Sequence, residues 1–251
     1  MELDLPIELI RLLRQVNYAT ALTGAGVSQE SGLRTFRDAQ TGLWSQYRPE
    51  DLATPQAFER DPQLIWDWYA MRRARAGEVQ PNPGHYALAE MERRSAGFTL
   101  VTQNVDGLHQ RAGSLRVTEL HGNITRVRCS RGCGQVSSWQ DAPGCIPACP
   151  KCGANLRPDV VWFGESLPRR ELEVAVEAAR CCQVFLSVGT SGLVQPAASL
   201  AYAASHRGAV VVEINTERTP LSSKADFVLI GKSGEILPEL VRQTWGSGRE
   251  N

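Results

Sequence analysis

The sequence has no excess of either charge: 27 lysines and arginines stand against 27 aspartates and glutamates, for a formal net charge of zero. That excludes a global electrostatic attraction to nucleic acid or to an anionic membrane. Long apolar runs are missing too. The opening stretch MELDLPIELIRLLRQV carries charges throughout, so it reads as an amphipathic helix starting near Pro6, not as a signal peptide or a spanning segment. A cytoplasmic location is the expectation, with no membrane partner. Internal repeats, low-complexity tracts and proline-rich linkers are absent. Histidine is scarce, limited to His85, His109, His121 and His206. A disulfide framework is also excluded, because the seven cysteines are odd in number and clustered, five of them between Cys129 and Cys152.

What is present is ordinary for a soluble globular chain of 251 residues, with 42% hydrophobic and 22% charged residues. This length suits one large domain, or a main domain with a small insertion. Apolar runs at Tyr18–Leu22, Phe98–Thr102, Val184–Val188, Val210–Ile214 and Phe227–Ile230 predict buried strands. Helical patterns separate them, most clearly at Asp61–Ala76, Gly84–Arg94, Arg169–Arg180, Pro196–His206 and Gly234–Thr244. The alternation predicts an α/β fold: a Rossmann-like parallel sheet covered by helices on both faces, with ligands at the carboxyl ends of its strands. GAG, QNVD, GTSG and EINTE each follow a strand, which would put four loops around one cleft. Between about residues 124 and 159 the alternation stops, and an inserted module is expected there, between main-domain segments 1–123 and 160–251.

The stretch ALTGAGVSQESGLRTFRD begins like a dinucleotide-binding turn but lacks its third glycine, since Gln29 stands where G-x-G-x-x-G requires one. Two glycines after a strand still suit a tight turn that sets backbone N–H groups against a pyrophosphate. The alternative is a turn that merely needs an unusual backbone angle.

Within the insertion, Cys129-Ser-Arg-Gly-Cys133 and Cys149-Pro-Lys-Cys152 form two knuckles separated by 15 residues. This is close to the spacing of a zinc ribbon with four thiolate ligands, Cys129, Cys133, Cys149 and Cys152. Cys145 lies near enough to replace one of them. Four thiolates leave no open position, so one structural Zn2+ is expected, supplying much of the folding free energy of a small module. A nucleic-acid-reading ribbon is the rival. Arg126, Arg128, Arg131 and Lys151 lend it basic character, but Trp139 is its only aromatic residue, and nucleic acid is not expected as a partner.

Taken in order, GAGVSQESGLRTFRD, TQNVDGLH, ELHGN, the cysteine knuckles, VVWFGE, GTSGLVQPA and EIN match the arrangement in sirtuins, the NAD-dependent protein deacylases. The chain resembles that family from about Tyr18 to Leu240. The resemblance implies NAD as cofactor, with Gly24, Ala25 and Gly26 on its pyrophosphate and Thr35, Phe36 and Arg37 in a loop folded over it, Phe36 and Arg37 above the reacting ribose. Gln103 would bond that ribose, and Asn104 and Asp106 would line the nicotinamide pocket. Gly189, Thr190 and Ser191 correspond to a phosphate-binding turn, Asn215 to the adenosine ribose contact and Lys232 to a position beside the adenine.

By the same resemblance His121 is the general base, and its ordinary pKa of about 6.5 suits proton abstraction near neutrality. The implied reaction transfers the acyl group of an acyl-lysine to ADP-ribose, releasing nicotinamide, free lysine and O-acyl-ADP-ribose. No redox step occurs, so Cys181 and Cys182 read as core residues. VVWFGE, with Val161, Phe163, Gly164 and Glu165, resembles the segment that pairs with the substrate peptide. Tyr69 and Arg72 are three positions apart on one helical face, and with Ala53 they resemble the class III branch that removes succinyl and malonyl groups. Arg72 would hold the distal carboxylate, Tyr69 would donate to it, and Ala53 would leave room. A basic, solvated helix face is the alternative. Two other functions remain open: mono-ADP-ribosyl transfer on the same fold, and a nucleic-acid-binding NAD sensor.

Overall fold

The computed structural model describes residues 3–33, 48–136, 139 and 144–246. Helix α1 (Ile7–Gln15) leads into β1 (Ala19–Thr23), followed by α2 (Ala25–Gln29), α3 (Pro49–Leu52), α4 (Pro55–Arg60), α5 (Pro62–Glu78) and α6 (Pro83–Arg94). Next come β2 (Phe98–Thr102), α7 (Leu108–Arg111), β3 (Val117–Glu119), β4 (Gly122–Cys129), β5 (Gln135–Val136) and β6 (Leu156–Val160). The remainder is α8 (Arg169–Cys181), β7 (Val184–Val188), α9 (Ser199–His206), β8 (Val210–Asn215), β9 (Phe227–Ile230) and α10 (Ser233–Trp245).

Six strands form one parallel sheet in the order β3-β2-β1-β7-β8-β9. Strands buried on both faces read as continuous apolar runs, and β1 and β7 are buried at every position. Their side chains still alternate between two layers. Ala21, Leu100, Leu186 and Val212 pack under α1, α6 and α10 with Leu9, Leu88, Met91 and Leu237. Leu22, Val101, Phe185 and Val211 pack on the other face, against Ala175 and Ala179 of α8 and Leu200 and Ala204 of α9.

The expected strands are all present, β1 lying one residue later than the apolar run suggested. Strand β3 was not anticipated, and α9 begins at Ser199 because Gln195 to Ala198 form a turn. Cys182 is core, as expected, but Cys181 is exposed with its thiol on Glu177, because it ends the amphipathic α8 on the solvent side. A second, antiparallel sheet has the order β5-β4-β6, starts at Gly122 and ends at Val160, enclosing the cysteine-rich stretch.

Helix α5 joins the two parts. Asp61 caps it by accepting from the Leu64 amide at 3.0 Å, and Pro62 suits the first turn, whose amides lack partners inside the helix. Its Trp66 packs against Val127, Cys129, Cys149 and Leu156, whereas Trp68 and Tyr69 belong to a cluster with Ala53, Phe58, Val160 and Trp162. No helix among the described residues is long and apolar enough to cross a membrane.

Candidate active site

The sheet register sets the expected loops side by side. Thr23 pairs with Thr102 and Val188, Thr102 with Glu119, and Val188 with Ile214. Five strand ends are therefore level on one rim. Sequence order reverses between β1 and β7, the switch point where α/β sheets open a crevice for ligands.

At that point two loops meet backbone to backbone. The Gly26 amide donates to the Gly189 carbonyl at 3.0 Å, and the Gly24 amide to the Val188 carbonyl at 3.0 Å. Side chains have no space here: a Cβ on Gly26 would lie 2.9 Å from the Gly189 Cα, and one on Gly189, whose φ is +59°, would lie 2.6 Å from the Val27 nitrogen. Glycine at both positions lets the two loops close on each other at the mouth of the crevice, where a phosphate-bearing ligand would lie. After Ala25, helix α2 runs only to Gln29, so the chain leaves the dehydrogenase pattern at the missing glycine. Thr35, Phe36 and Arg37 lie outside the described residues.

A buried polar chain lies behind the two loops. Asn104 Nδ2 donates to the Gly24 carbonyl at 2.9 Å and to Ser28 Oγ at 3.0 Å, and Ser28 Oγ donates to Asp106 Oδ2 at 2.7 Å. Asp106 also accepts from the Leu108 amide at 2.9 Å. Burial raises its pKa, against the lowering effect of the Leu108 and Ser28 bonds. Ser28 was not singled out in the sequence, and neither was Glu30. The Glu30 carboxylate accepts from Ser233 Oγ at 2.6 Å and from the Gly234 amide at 3.1 Å, tying α2 to the start of α10.

The other cofactor candidates line the same rim. One cleft is lined by Gly26, Gly189, Asn215, Thr216, Gly231 and Ser233. Asn215 Nδ2 donates to the Thr190 carbonyl at 2.8 Å, and Ser191 Oγ accepts from the Leu193 amide at 3.4 Å. Lys232 is not among the lining residues. It stands between two of them, with its ammonium 3.9 Å from Glu235.

His121 sits between β3 and β4. Its Nδ1 lies 2.9 Å from the Gln103 carbonyl oxygen, which only accepts, so Nδ1 carries the proton and Nε2 keeps a lone pair. Burial lowers its pKa, and the Gln103 bond opposes the shift in part. Gly122 follows with φ +78°, and a Cβ there would lie 2.1 Å from the Asp159 carbonyl oxygen. Only glycine lets β4 and β6 close up beside the imidazole.

The VVWFGE segment is fastened at two points. The Val161 amide donates to the His121 carbonyl at 2.9 Å, and the Phe163 amide donates to the Ala53 carbonyl at 2.9 Å. Gly164 has φ +86°, and the Glu165 amide closes the turn on the Trp162 carbonyl at 3.0 Å. The Glu165 carboxylate is engaged by Arg157 Nη1 and Nη2 at 2.5 and 2.9 Å and by the Trp162 amide at 2.8 Å. Tyr69 OH accepts from Trp162 Nε1 at 3.0 Å. The Arg72 guanidinium lies 5.1 Å from the centre of the Trp68 ring, and burial lowers its pKa. The sequence-predicted acyl residues Ala53 and Tyr69 therefore share one apolar cluster with Trp162, and Arg72 stands one helical turn from Tyr69.

The four knuckle thiols, Cys129, Cys133, Cys149 and Cys152, lie within 4.8 Å of one another, and Cys145 is not among them. Amides of Cys133 and Arg131 pull the Cys129 thiol down while bonds from the neighbouring thiols push the Cys133 thiol up, so the thiols titrate as one coupled cluster. Donor set and spacing fit one four-coordinate Zn2+. Arg126 is ion-paired with Glu119 of β3 at 2.6 Å and with Asp159 at 3.1 Å, so part of the module's basic character is neutralised by the chain's own carboxylates.

Comparison with known proteins agrees with this geometry. The model of the Sir2 family matches residues 24–196. An NAD-dependent protein deacylase of Pyrococcus furiosus (strain ATCC 43587 / DSM 3638 / JCM 8422 / Vc1) is 49% identical over 243 residues, covering 94% of this chain and 96% of its own. A crystal structure of a Sir2 homolog–NAD complex superposes with a TM-score of 0.90 at 47% identity, covering 97% of this chain and 95% of that one. A Sir2 protein with a deacetylated p53 peptide and 3′-O-acetyl ADP ribose gives 0.83 at 28% identity, covering 98% and 99%. With most of its length matched at this level, the chain belongs to the Sir2 family.

Proposed function

We propose that this Sir2-family enzyme, an NAD-dependent protein deacylase, removes succinyl and malonyl groups, and acetyl groups as well, from protein lysines. The observation that carries the reading is the double fastening of residues 161–165. Val161 is bonded to the His121 carbonyl and Phe163 to the Ala53 carbonyl, which sets the segment between the histidine and the buried cluster that holds Ala53 and Tyr69.

When bound, NAD would supply the ribose that takes the acyl group, so that acyl-lysine, NAD and one water give free lysine, nicotinamide and O-acyl-ADP-ribose. The chain's own residues do the rest. The turn at Gly24, Ala25 and Gly26 packed on Gly189 would shape the phosphate site, the glycine amides being bonded within the two loops, and Asn104, held by Gly24 and Ser28, would line the nicotinamide side with Asp106. His121 Nε2, left with its lone pair by the Gln103 carbonyl on Nδ1, would accept the proton of a ribose hydroxyl. Val161 and Phe163 border the peptide, and the Arg72 guanidinium meets the distal carboxylate of an acidic acyl chain. The zinc module, residues 124–159, is structural and steadies α5 through Trp66. Unpaired cysteines suit a reducing compartment, the cytoplasm.

The test is mass spectrometry on one peptide bearing acetyl-, succinyl- or malonyl-lysine, with and without NAD, for the parent and Arg72→Met. NAD-dependent loss of the acidic groups, selectively impaired in the variant, is expected. Removal of acetyl alone contradicts the acyl assignment. Labelled ADP-ribose retained on protein, with no acyl loss, would replace deacylation by ADP-ribosyl transfer.

A further inference from the structure

We infer that Trp162 is a positioning residue for the acyl group, acting through the hydroxyl of Tyr69; this rests on the acidic-acyl reading of Tyr69 and Arg72. Trp162 and Tyr69 are 2% and 4% exposed, and the indole Nε1 is 3.0 Å from the phenol oxygen. An indole N–H only donates, so the Tyr69 oxygen must accept. A phenol proton prefers the plane of its ring and points to one side or the other. With Trp162 on one side, the proton turns to the other, free for an acceptor in the acyl pocket.

Trp162 is itself held by two neighbours. The Arg157 guanidinium carbon lies 3.4 Å from its ring centre, and Phe58 packs at 5.3 Å. Arg157 is locked in turn by its two bonds to Glu165. Burial raises the Tyr69 pKa, so the hydroxyl stays neutral and keeps its proton. A succinyl or malonyl carboxylate needs that donor, and an acetyl group presents no carboxylate to receive it. Trp162 therefore acts on acyl choice rather than on the chemical step.

The experiment is steady-state kinetics of Trp162→Phe, Tyr69→Phe, their double variant and Arg72→Met on succinyl and acetyl forms of one peptide. Phenylalanine keeps a ring beside Arg157 and Phe58 and removes the donor. For Trp162→Phe the KM for the succinyl peptide should rise about fivefold more than the KM for the acetyl peptide, the effect of roughly one neutral hydrogen bond, and the kcat ratio of the two peptides should hold. The double variant should be no worse than Tyr69→Phe. An unchanged succinyl KM, an equal loss on both peptides, or additive effects would overturn the inference. If Arg72→Met leaves the succinyl-to-acetyl ratio unaltered, the acidic-acyl reading falls and takes this inference with it. If Arg72→Met lowers that ratio and Trp162→Phe does not, only the role of Trp162 falls. Should Trp162→Phe fail to fold, 1H–15N spectra decide instead. One of the six indole cross-peaks must move upfield in Tyr69→Phe, and no movement refutes the bond.

Discussion

The His121 imidazole and Gln103 are joined through Nδ1 and a main-chain carbonyl at 2.9 Å, which fixes the tautomer of the ring. Burial holds the imidazole pKa below its ordinary 6.5, so the neutral form persists to mildly acidic pH. The acid limb of kcat/KM should have its midpoint below 6.5, with a plateau from there through neutrality. A midpoint at or above 6.5 in the pH–rate profile would contradict the assignment. His121→Ala should lower deacylation by about 10²–10⁴-fold while the protein stays folded.

The Gly189 contact makes a steric prediction. Alanine there needs φ near +59° and a Cβ 2.6 Å from the Val27 nitrogen, so the two loops must part. Gly189→Ala should lose about 1–3 kcal/mol in urea unfolding. NAD affinity, measured by calorimetry, should fall at least about tenfold, equivalent to 1.4 kcal/mol. Parent-like values for both would mean that the loops are not in contact.

Metal analysis separates Cys145 from the four clustered thiols. Cys145→Ser should retain one zinc per chain, whereas Cys149→Ser should lose it and melt at lower temperature. The tilt of Trp66 against Trp139, at 5.6 Å between ring centres, offers a local reporter in near-UV circular dichroism that should fade with the metal. Zinc retained in Cys149→Ser and lost from Cys145→Ser would reverse the ligand set.

Two other histidines predict how stability follows pH. His85 is fully buried with its pKa lowered to about 4 by desolvation, and buried His109, 4.8 Å away, is lowered for the same reason and by His85. Both are neutral when folded and bind a proton near 6.5 when unfolded. Their contribution is complete above about 6.5 and is lost as pH falls from there toward 4. Each should give a slope of about 1.4 kcal/mol per pH unit within that window. Urea melts between pH 5 and 7.5 measure it, and His109→Gln should remove one proton from the slope. A flat profile would contradict a buried, neutral pair.

The sheet was legible because its inner strands are apolar on both faces, as in Val184 to Val188. Strand β3 was not, since Val117, Thr118 and Glu119 are three half-buried residues at an edge, too short for any periodicity to show. In the site, the glycines, Asn104 and His121 could be read from short motifs after strands. Ser28 and Glu30 could not, because their partners Asp106 and Ser233 lie 78 and 203 residues away and meet them only through the fold. The same holds for Trp162, which reads as one more aromatic in VVWFGE until Tyr69 is brought to it.

The level rim has a thermodynamic consequence. Its loops come from residues near 24, 103, 121, 189 and 215, spread over most of the chain, and pairing of β1 with both β2 and β7 brings them together. A dinucleotide lying along that rim binds only when early and late segments are folded at once. Saturating NAD should therefore raise the unfolding midpoint of the whole sheet in one cooperative step, in proportion to the logarithm of its concentration, rather than protect one loop at a time.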